Sequence, residues 1–308
     1  MRALVADPLA ASTMRVAQVD EPVPGADYVV VEVHHASLNH GDLNDAVSGR
    51  VPPGQVLGSD VAGVVVRGSD DGSGPGVGKR VVALAEGAFA ERVAIPSHSV
   101  AEIPDGLDLS AAAGLPVAGL AALRSLRASG SLLGRRVLIT GAGGGVGTFA
   151  IQLAAAAGAF PIAATGTLGR AGYLRDLGAK QVVTDLDEID APIDVVIDSV
   201  GGPQLVRAWD LLAPGGCIQS VGWTSGAPAE FPPYATIGPP KSLNAYLTLG
   251  AAGGDLAVLA RLAATGGLDV PIEWRGSCDG FADAVAALRG RRVQGKAILE
   301  IAASGAMA

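Results

Sequence analysis

The chain has 308 residues, 49% of them hydrophobic and 17% charged, with a formal net charge of −8 at pH 7. That acidic balance argues against a general nucleic-acid binder and against a protein drawn to anionic membranes. Two cysteines, Cys217 and Cys278, are too few for a disulfide framework or a cysteine-rich metal site. Aromatic residues make up only 4%, so alanine, valine and leucine must fill the core. No uninterrupted apolar run is long enough to span a bilayer. Asp7 and Pro8 interrupt the stretch where the apolar core of a signal peptide would form. The expectation is a soluble, cytoplasmic protein of one large or two ordinary domains.

The first third of the chain reads as strands and turns. Runs rich in β-branched residues predict strands at 28–33, 61–66 and 80–84, and β character continues over 89–95. Residues 68–78, rich in Gly, Asp and Ser, read as a turn region. Ser110 is placed as the N-cap of a helix. From Val137 the texture changes. Predicted strands at 137–140, 161–165, 181–184, 194–198 and 216–221 alternate with helices near 145–157, 168–177 and 203–212. Such alternation implies a parallel sheet with right-handed crossovers. Residues 242–249 predict one more strand, 255–264 and 281–288 two helices, and 297–301 a closing strand.

The segment 137–147 carries the sharpest signal. A β-branched apolar run, 137–140, is followed directly by Gly141-Ala142-Gly143-Gly144-Gly145-Val146-Gly147 and then by an Ala-rich helical stretch. Strand, glycine turn and helix start are the three parts of a dinucleotide site, here with Ala142 in place of the first glycine of the six-residue spacing. Small residues let backbone N–H groups approach a pyrophosphate, and the helix N-terminus adds partial positive charge. Gly144, Gly145 and Val146 are therefore predicted to bind cofactor. In a site for NAD an acidic residue commonly stands about 20 residues further on, to hold the ribose 2′-OH. Here the second strand runs into Thr165, Gly166, Thr167 and Arg170, and the first carboxylate is Asp176. Thr167 can donate to a 2′-phosphate and Arg170 can pair with it, so the expected cofactor is NADPH.

Further segments complete a pattern: Asn39-His40-Gly41-Asp42, residues 58–64 (GSDVAGV), residues 194–202 (DVVIDSVGG) and Gly295-Lys296. In this order, and with the glycine turn, they make the chain similar to the medium-chain dehydrogenase/reductase superfamily, in its zinc-free quinone oxidoreductase-like (zeta-crystallin-type) branch. The resemblance implies an α/β fold in which a GroES-like β-rich catalytic domain, 1–116 plus 265–308, carries an inserted Rossmann domain with a doubly wound parallel sheet, 117–264. It also implies cofactor contacts at Thr184, Ser199, Val200, Val221, Gly222 and Trp223, all at strand ends, with Lys296 as a further contact to a phosphate or carboxamide. A homodimer paired through an edge strand at 242–249 is implied too.

Zinc-dependent members would carry Cys where Asn39 stands and His-Glu where Ser59-Asp60 stand, so no metal is expected. Without a Lewis acid, alcohol oxidation is difficult. Hydride addition to a quinone or to the C=C bond of an α,β-unsaturated carbonyl is easier, because the developing enolate oxygen needs only hydrogen-bond donors. Asn39 is the expected donor, and Asp42 is read as structural. Two alternatives stay open: a dedicated biosynthetic reductase of enoyl or imine type acting on one metabolite, and a non-catalytic NADPH-binding protein.

Overall fold

The structure, a computed structural model, describes residues 1–247 and 250–301. In chain order the elements begin with β1 (Arg2–Ala6), β2 (Met14–Gln18), β3 (Tyr28–Leu38), α1 (His40–Ser48), β4 (Asp60–Arg67), β5 (Arg80–Leu84), β6 (Arg92–Pro96), β7 (Val100–Glu102), α2 (Leu109–Ala113) and α3 (Pro116–Ala128). Then come β8 (Arg136–Thr140), α4 (Gly145–Ala156), β9 (Phe160–Ala164), α5 (Ala171–Asp176), β10 (Gln181–Val183), β11 (Ile193–Asp198), α6 (Gly202–Leu211), β12 (Leu212–Ser220) and β13 (Ser242–Ala245). The chain closes with α7 (Gly253–Ala264), β14 (Ile272–Ser277), α8 (Phe281–Arg289) and β15 (Lys296–Glu300).

Two compact units result: Met1–Leu120 with Leu249–Ala308, and Ala121–Thr248. The first holds a largely antiparallel sheet in the order β14-β15-β3-β4-β5-β7, with β6 also paired to β3, and a separate β1–β2 ladder. Its core gathers Leu4, Met14, Val29, Val31, Val33, Leu57, Phe89 and Leu299. The second holds a parallel sheet in the order β10-β9-β8-β11-β12-β13. Renumbered within that unit the order is 3-2-1-4-5-6, the doubly wound arrangement of dinucleotide-binding sheets. Its central strands are apolar without alternation: Val137, Leu138 and Ile139 on β8 and Val195, Val196 and Ile197 on β11 are all 0% exposed. That is the expected texture of parallel strands covered on both faces.

The α/β class and the strand–helix alternation follow the expectation, with four differences of detail. Residues 40–48, inside the stretch that reads as strands and turns, form α1, with Asn39 at its N-cap in extended backbone. The N-cap of α2 is Asp108, not Ser110: the Asp108 carboxylate accepts from the Ala111 N–H and from the Ser110 hydroxyl. A longer acceptor with two oxygens outcompetes the serine two residues on. The stretch predicted as one helix, 168–177, is a 3-10 turn over Leu168–Arg170 followed by α5. Finally, α7 belongs to the first unit, whereas the expected Rossmann domain, 117–264, includes it. Gly253 at its start sits against β7 so closely that a Cβ there would lie 2.6 Å from the Val100 carbonyl oxygen. Of the strand expected at 242–249, β13 occupies the first half as the outer strand of its sheet, and residues 248 and 249 lie outside the described residues.

Candidate active site

In the second unit, the sheet order reverses between β8 and β11, and the glycine turn leaves β8 at that point. Ligands of open α/β sheets bind outside the strand ends at such switch points. Gly141 adopts φ +62°, which glycine tolerates without strain. The Gly144 N–H then closes the turn on the Gly141 carbonyl at 2.9 Å, and α4 starts at the next residue. Gly147 has no room for a side chain: a Cβ would lie 2.6 Å from both the Ala142 Cα and the Gly141 oxygen. Among the described residues beyond its chain neighbours, a Cβ at Gly144 would come within 4 Å only of the Gly141 oxygen, at 3.3 Å, which leaves that face of the turn open. Gly147 therefore serves helix–strand packing, whereas Gly144 leaves space beside the turn.

A buried carboxylate braces the adjoining turn. Asp198, 0% exposed at the end of β11, accepts the Thr140 hydroxyl at 2.5 Å and the Gly201 N–H at 2.9 Å. Thr140 in turn accepts the Ser199 N–H. Burial raises the Asp198 pKa, opposed by these hydrogen bonds. Val221 and Gly222 both donate N–H groups to the Asp198 carbonyl, tying the end of β12 to β11. The Trp223 indole lies across Gly201, donates to the Ala227 carbonyl at 2.6 Å and remains 47% exposed. The Ser199 hydroxyl oxygen is buried with no hydrogen-bond partner among the described residues, and the Val200 side chain borders Gly141. An orphaned buried hydroxyl beside an open glycine turn fits a bound dinucleotide, which would satisfy it.

Beyond the end of β9, the half-buried Arg170 stacks its guanidinium over the Tyr173 ring at 4.3 Å. Thr165 is half-buried and Gly166 exposed. Thr167 accepts the Gly169 N–H, which leaves its own O–H hydrogen as a donor. Thr184 is arranged differently from the expectation. Its N–H and hydroxyl both bond Glu188 Oε1, at 3.0 and 3.2 Å, so its side chain is already engaged by a carboxylate.

The first unit contains a second polar cluster. Asp60 opens β4 and Lys296 opens β15; they are 0% and 2% exposed. The Lys296 ammonium donates to Asp60 Oδ2 at 3.1 Å and to Asn39 Oδ1 at 2.7 Å. The Asn39 amide nitrogen donates to Asp60 Oδ2 at 3.0 Å and to the Ser37 carbonyl at 3.2 Å. The Val117 N–H, in the first turn of α3, completes Asp60 by donating to Oδ1 at 2.7 Å. Beside this triad, Asp42 accepts the Asn39 backbone N–H at 2.8 Å and the Ser59 hydroxyl at 2.9 Å. Burial, and then the charge of Asp60, push the Asp42 pKa up from 3.8 to about 7, against those hydrogen bonds and Lys296. His40 is held below its ordinary pKa by burial, then by Arg291 and Lys296.

Two expectations change here. Lys296 is neither a surface lysine nor free to reach a phosphate, since its ammonium is buried and bonded to Asn39 and Asp60. Asn39 does not present an uncommitted amide: both hydrogens already have acceptors. The bond to the Ser37 carbonyl is the longer of the two. The structure thus brings Asn39 together with Lys296, while the predicted cofactor residues from Gly144 to Trp223 lie on the strand ends and turns of the second unit.

The family description "Alcohol dehydrogenase GroES-like domain" matches residues 25–105, and "Zinc-binding dehydrogenase" matches residues 145–250. A highly reducing polyketide synthase, apmlA of Arthrinium phaeospermum, is 35% identical over 224 residues, 65% of this chain but 9% of that protein. Prostaglandin reductase-3 of Bos taurus is 32% identical over 220 residues, 67% of this chain and 58% of that protein. The chain therefore spans only a fraction of the length of these curated relatives. The quinone oxidoreductase from Coxiella burnetii superposes with a TM-score of 0.86 at 25% identity, over 98% of this chain and 99% of that one. The chain belongs to the medium-chain dehydrogenase/reductase superfamily of oxidoreductases. Within it, the chain falls in the quinone oxidoreductase-like branch.

The zinc implied by one family description does not fit these residues. Zinc needs three protein ligands turned toward one point. Asn39 Oδ1 and Asp60 Oδ2 instead face an ammonium, and the Ser59 hydroxyl faces Asp42. Among the described residues no group of three or more His, Cys, Asp or Glu side chains has metal-binding geometry.

Proposed function

We propose that the chain is an NADPH-dependent oxidoreductase that transfers hydride, without a metal, to the C=C bond of an α,β-unsaturated carbonyl or to a quinone. One observation carries this reading: two of the residues at the family's metal-ligand positions, Asn39 and Asp60, are bonded to the Lys296 ammonium, and the third, Ser59, is bonded to Asp42. Such a site has no Lewis acid to acidify an alcohol, but it has polar N–H groups for a developing enolate oxygen. Bound NADPH supplies the hydride. Gly144, Gly145 and Val146 hold the pyrophosphate against the start of α4, and the Ser199 hydroxyl, with Val200 and the 221–223 segment, borders the nicotinamide half. Thr165, Gly166, Thr167 and Arg170 line the 2′-phosphate, and the stacking of Arg170 on Tyr173 fixes its guanidinium. Thr184 borders the adenosine through backbone rather than hydroxyl. Asn39 donates to the acceptor's carbonyl oxygen once the Ser37 bond is displaced. The protein pairs as a homodimer along β13, an outer strand of its sheet with Leu243 44% exposed.

The match to polyketide synthases favours one specific acceptor class, an enoyl chain on a thioester, as the second reading. The test is oxidation of NADPH and of NADH in the presence of quinones, simple enones and enoyl thioesters. Turnover with NADPH on any of these supports reductase function, and strong preference for the thioester selects the second reading. Absence of turnover on all of them, with NADPH bound, leaves the non-catalytic alternative.

A further inference from the structure

We propose that Lys296 is a positioning residue for Asn39: its buried ammonium orients the Asn39 amide and polarises it into a stronger hydrogen-bond donor. The proposal rests on the reading that Asn39 meets the acceptor's carbonyl oxygen. The geometry leaves one sensible orientation of the amide. With its oxygen toward the ammonium (2.7 Å) and its nitrogen toward Asp60 (3.0 Å) and the Ser37 carbonyl, both amide hydrogens and the amide oxygen meet suitable partners. Flipped, the amide NH₂ would face an ammonium and its oxygen a carboxylate. The lysine therefore decides which way the amide points.

Polarisation follows from the same contact. A cation on the oxygen of an amide draws charge through the C–N bond and makes its N–H groups more acidic, and chained hydrogen bonds strengthen one another in a low-dielectric interior. The hydrogen now lying on the Ser37 carbonyl at 3.2 Å is the one available for exchange. An enolate oxygen, being charged, outcompetes a neutral carbonyl for it. Asp60 balances the ammonium and is anchored by the Val117 N–H, so the charge pair stays fixed while the amide works.

The experiment compares wild type with Lys296→Met, Lys296→Arg and the double variant Asp60→Asn/Lys296→Met. Thermal stability, NADPH affinity by fluorescence, and kcat and KM on an enone are measured for each. Lys296→Met strands a buried carboxylate and should be the least stable; the double variant removes both charges and should recover stability. If the lysine acts through Asn39, the double variant recovers stability but keeps a kcat at least tenfold below wild type, with NADPH affinity unchanged, and Lys296→Arg retains most turnover. Recovery of kcat together with stability overturns the proposal, as does loss of NADPH affinity in parallel with kcat. A second readout needs no turnover or variant. The side-chain ¹⁵N–H resonances of Asn39 are followed in wild-type protein with NADP⁺ while 4-nitrophenolate, a stand-in for an enolate, is added. One of the two amide protons should move downfield; if neither moves, Asn39 does not meet the oxyanion and the proposal fails. Movement in a protein that turns over no enone or quinone would instead fault the proposed reaction and leave the positioning role standing.

Discussion

Replacing Asp42 by asparagine should stabilise the protein at neutral and alkaline pH. Asp42 is 3% exposed, and burial next to Asp60 raises its pKa from 3.8 to about 7. Each tenfold change in proton affinity is worth about 1.4 kcal/mol, so ionising this carboxyl in the fold costs about 4 kcal/mol more than in the unfolded chain. Because the folded pKa is the higher one, the protonated group's stabilising contribution is full below pH 4. It is lost as the pH rises to about 7. Asp42→Asn keeps an acceptor for the Asn39 N–H, and the Ser59 hydroxyl can turn to accept from the new NH₂ group, so the contacts survive without the ionisation cost. Urea unfolding midpoints measured from pH 4 to 9 should show wild type losing stability between pH 4 and 7 relative to the variant, with the variant ahead above pH 7. Parallel curves for the two proteins would refute the reasoning, because they would mean that Asp42 titrates alike in the folded and unfolded states.

Three further outcomes follow from the nucleotide-binding unit and the metal question. Gly144→Val and Gly147→Val should differ: the first keeps the fold and loses NADPH binding in a fluorescence titration. The second clashes with backbone and should also lose about 1–3 kcal/mol of stability. Arg170→Ala should weaken NADPH binding about ten- to a hundredfold, the value of roughly 1.5–3 kcal/mol for a charge-assisted bond, and leave NADH nearly unchanged; equal loss for both cofactors would assign Arg170 to folding. Protein purified without added metal should contain far less than one zinc per chain by elemental analysis, and chelators should leave activity intact.

The second unit was the more legible in sequence because each of its signals is local. The strand 137–140, the glycine turn and the helix after it follow one another in the chain, and continuous apolar runs mark buried parallel strands without any knowledge of their partners. The first unit was read less well, since its elements depend on distant pairing. β14 joins β15, which crosses to β3 more than 200 positions earlier, and the β1–β2 ladder has no strong apolar period. The helix α1 was hidden by Gly41, Asp42, Asn44 and Asp45, all weak helix formers; what supports it is the bond from the Asn39 N–H to Asp42. The triad was half visible. Asn39 and Asp60 were singled out as metal-ligand positions, but their link to Lys296 spans 236 residues from Asp60. A signal was present nonetheless: Asp60 and Lys296 each stand directly before a run of apolar strand residues, and charges entering a core are paired.

Hydride delivery to an activated carbon–carbon double bond by a site without metal can be followed with an isotopic label. Its most direct test is to supply NADPH carrying deuterium on both C4 positions of the nicotinamide ring, together with an enone, and to locate the label in the product by NMR. Deuterium at the β-carbon, with a proton from solvent at the α-carbon and the carbonyl retained, is the predicted result. Deuterium on the carbonyl carbon, or faster oxidation of a secondary alcohol by NADP⁺ than reduction of any enone or quinone, would contradict the account.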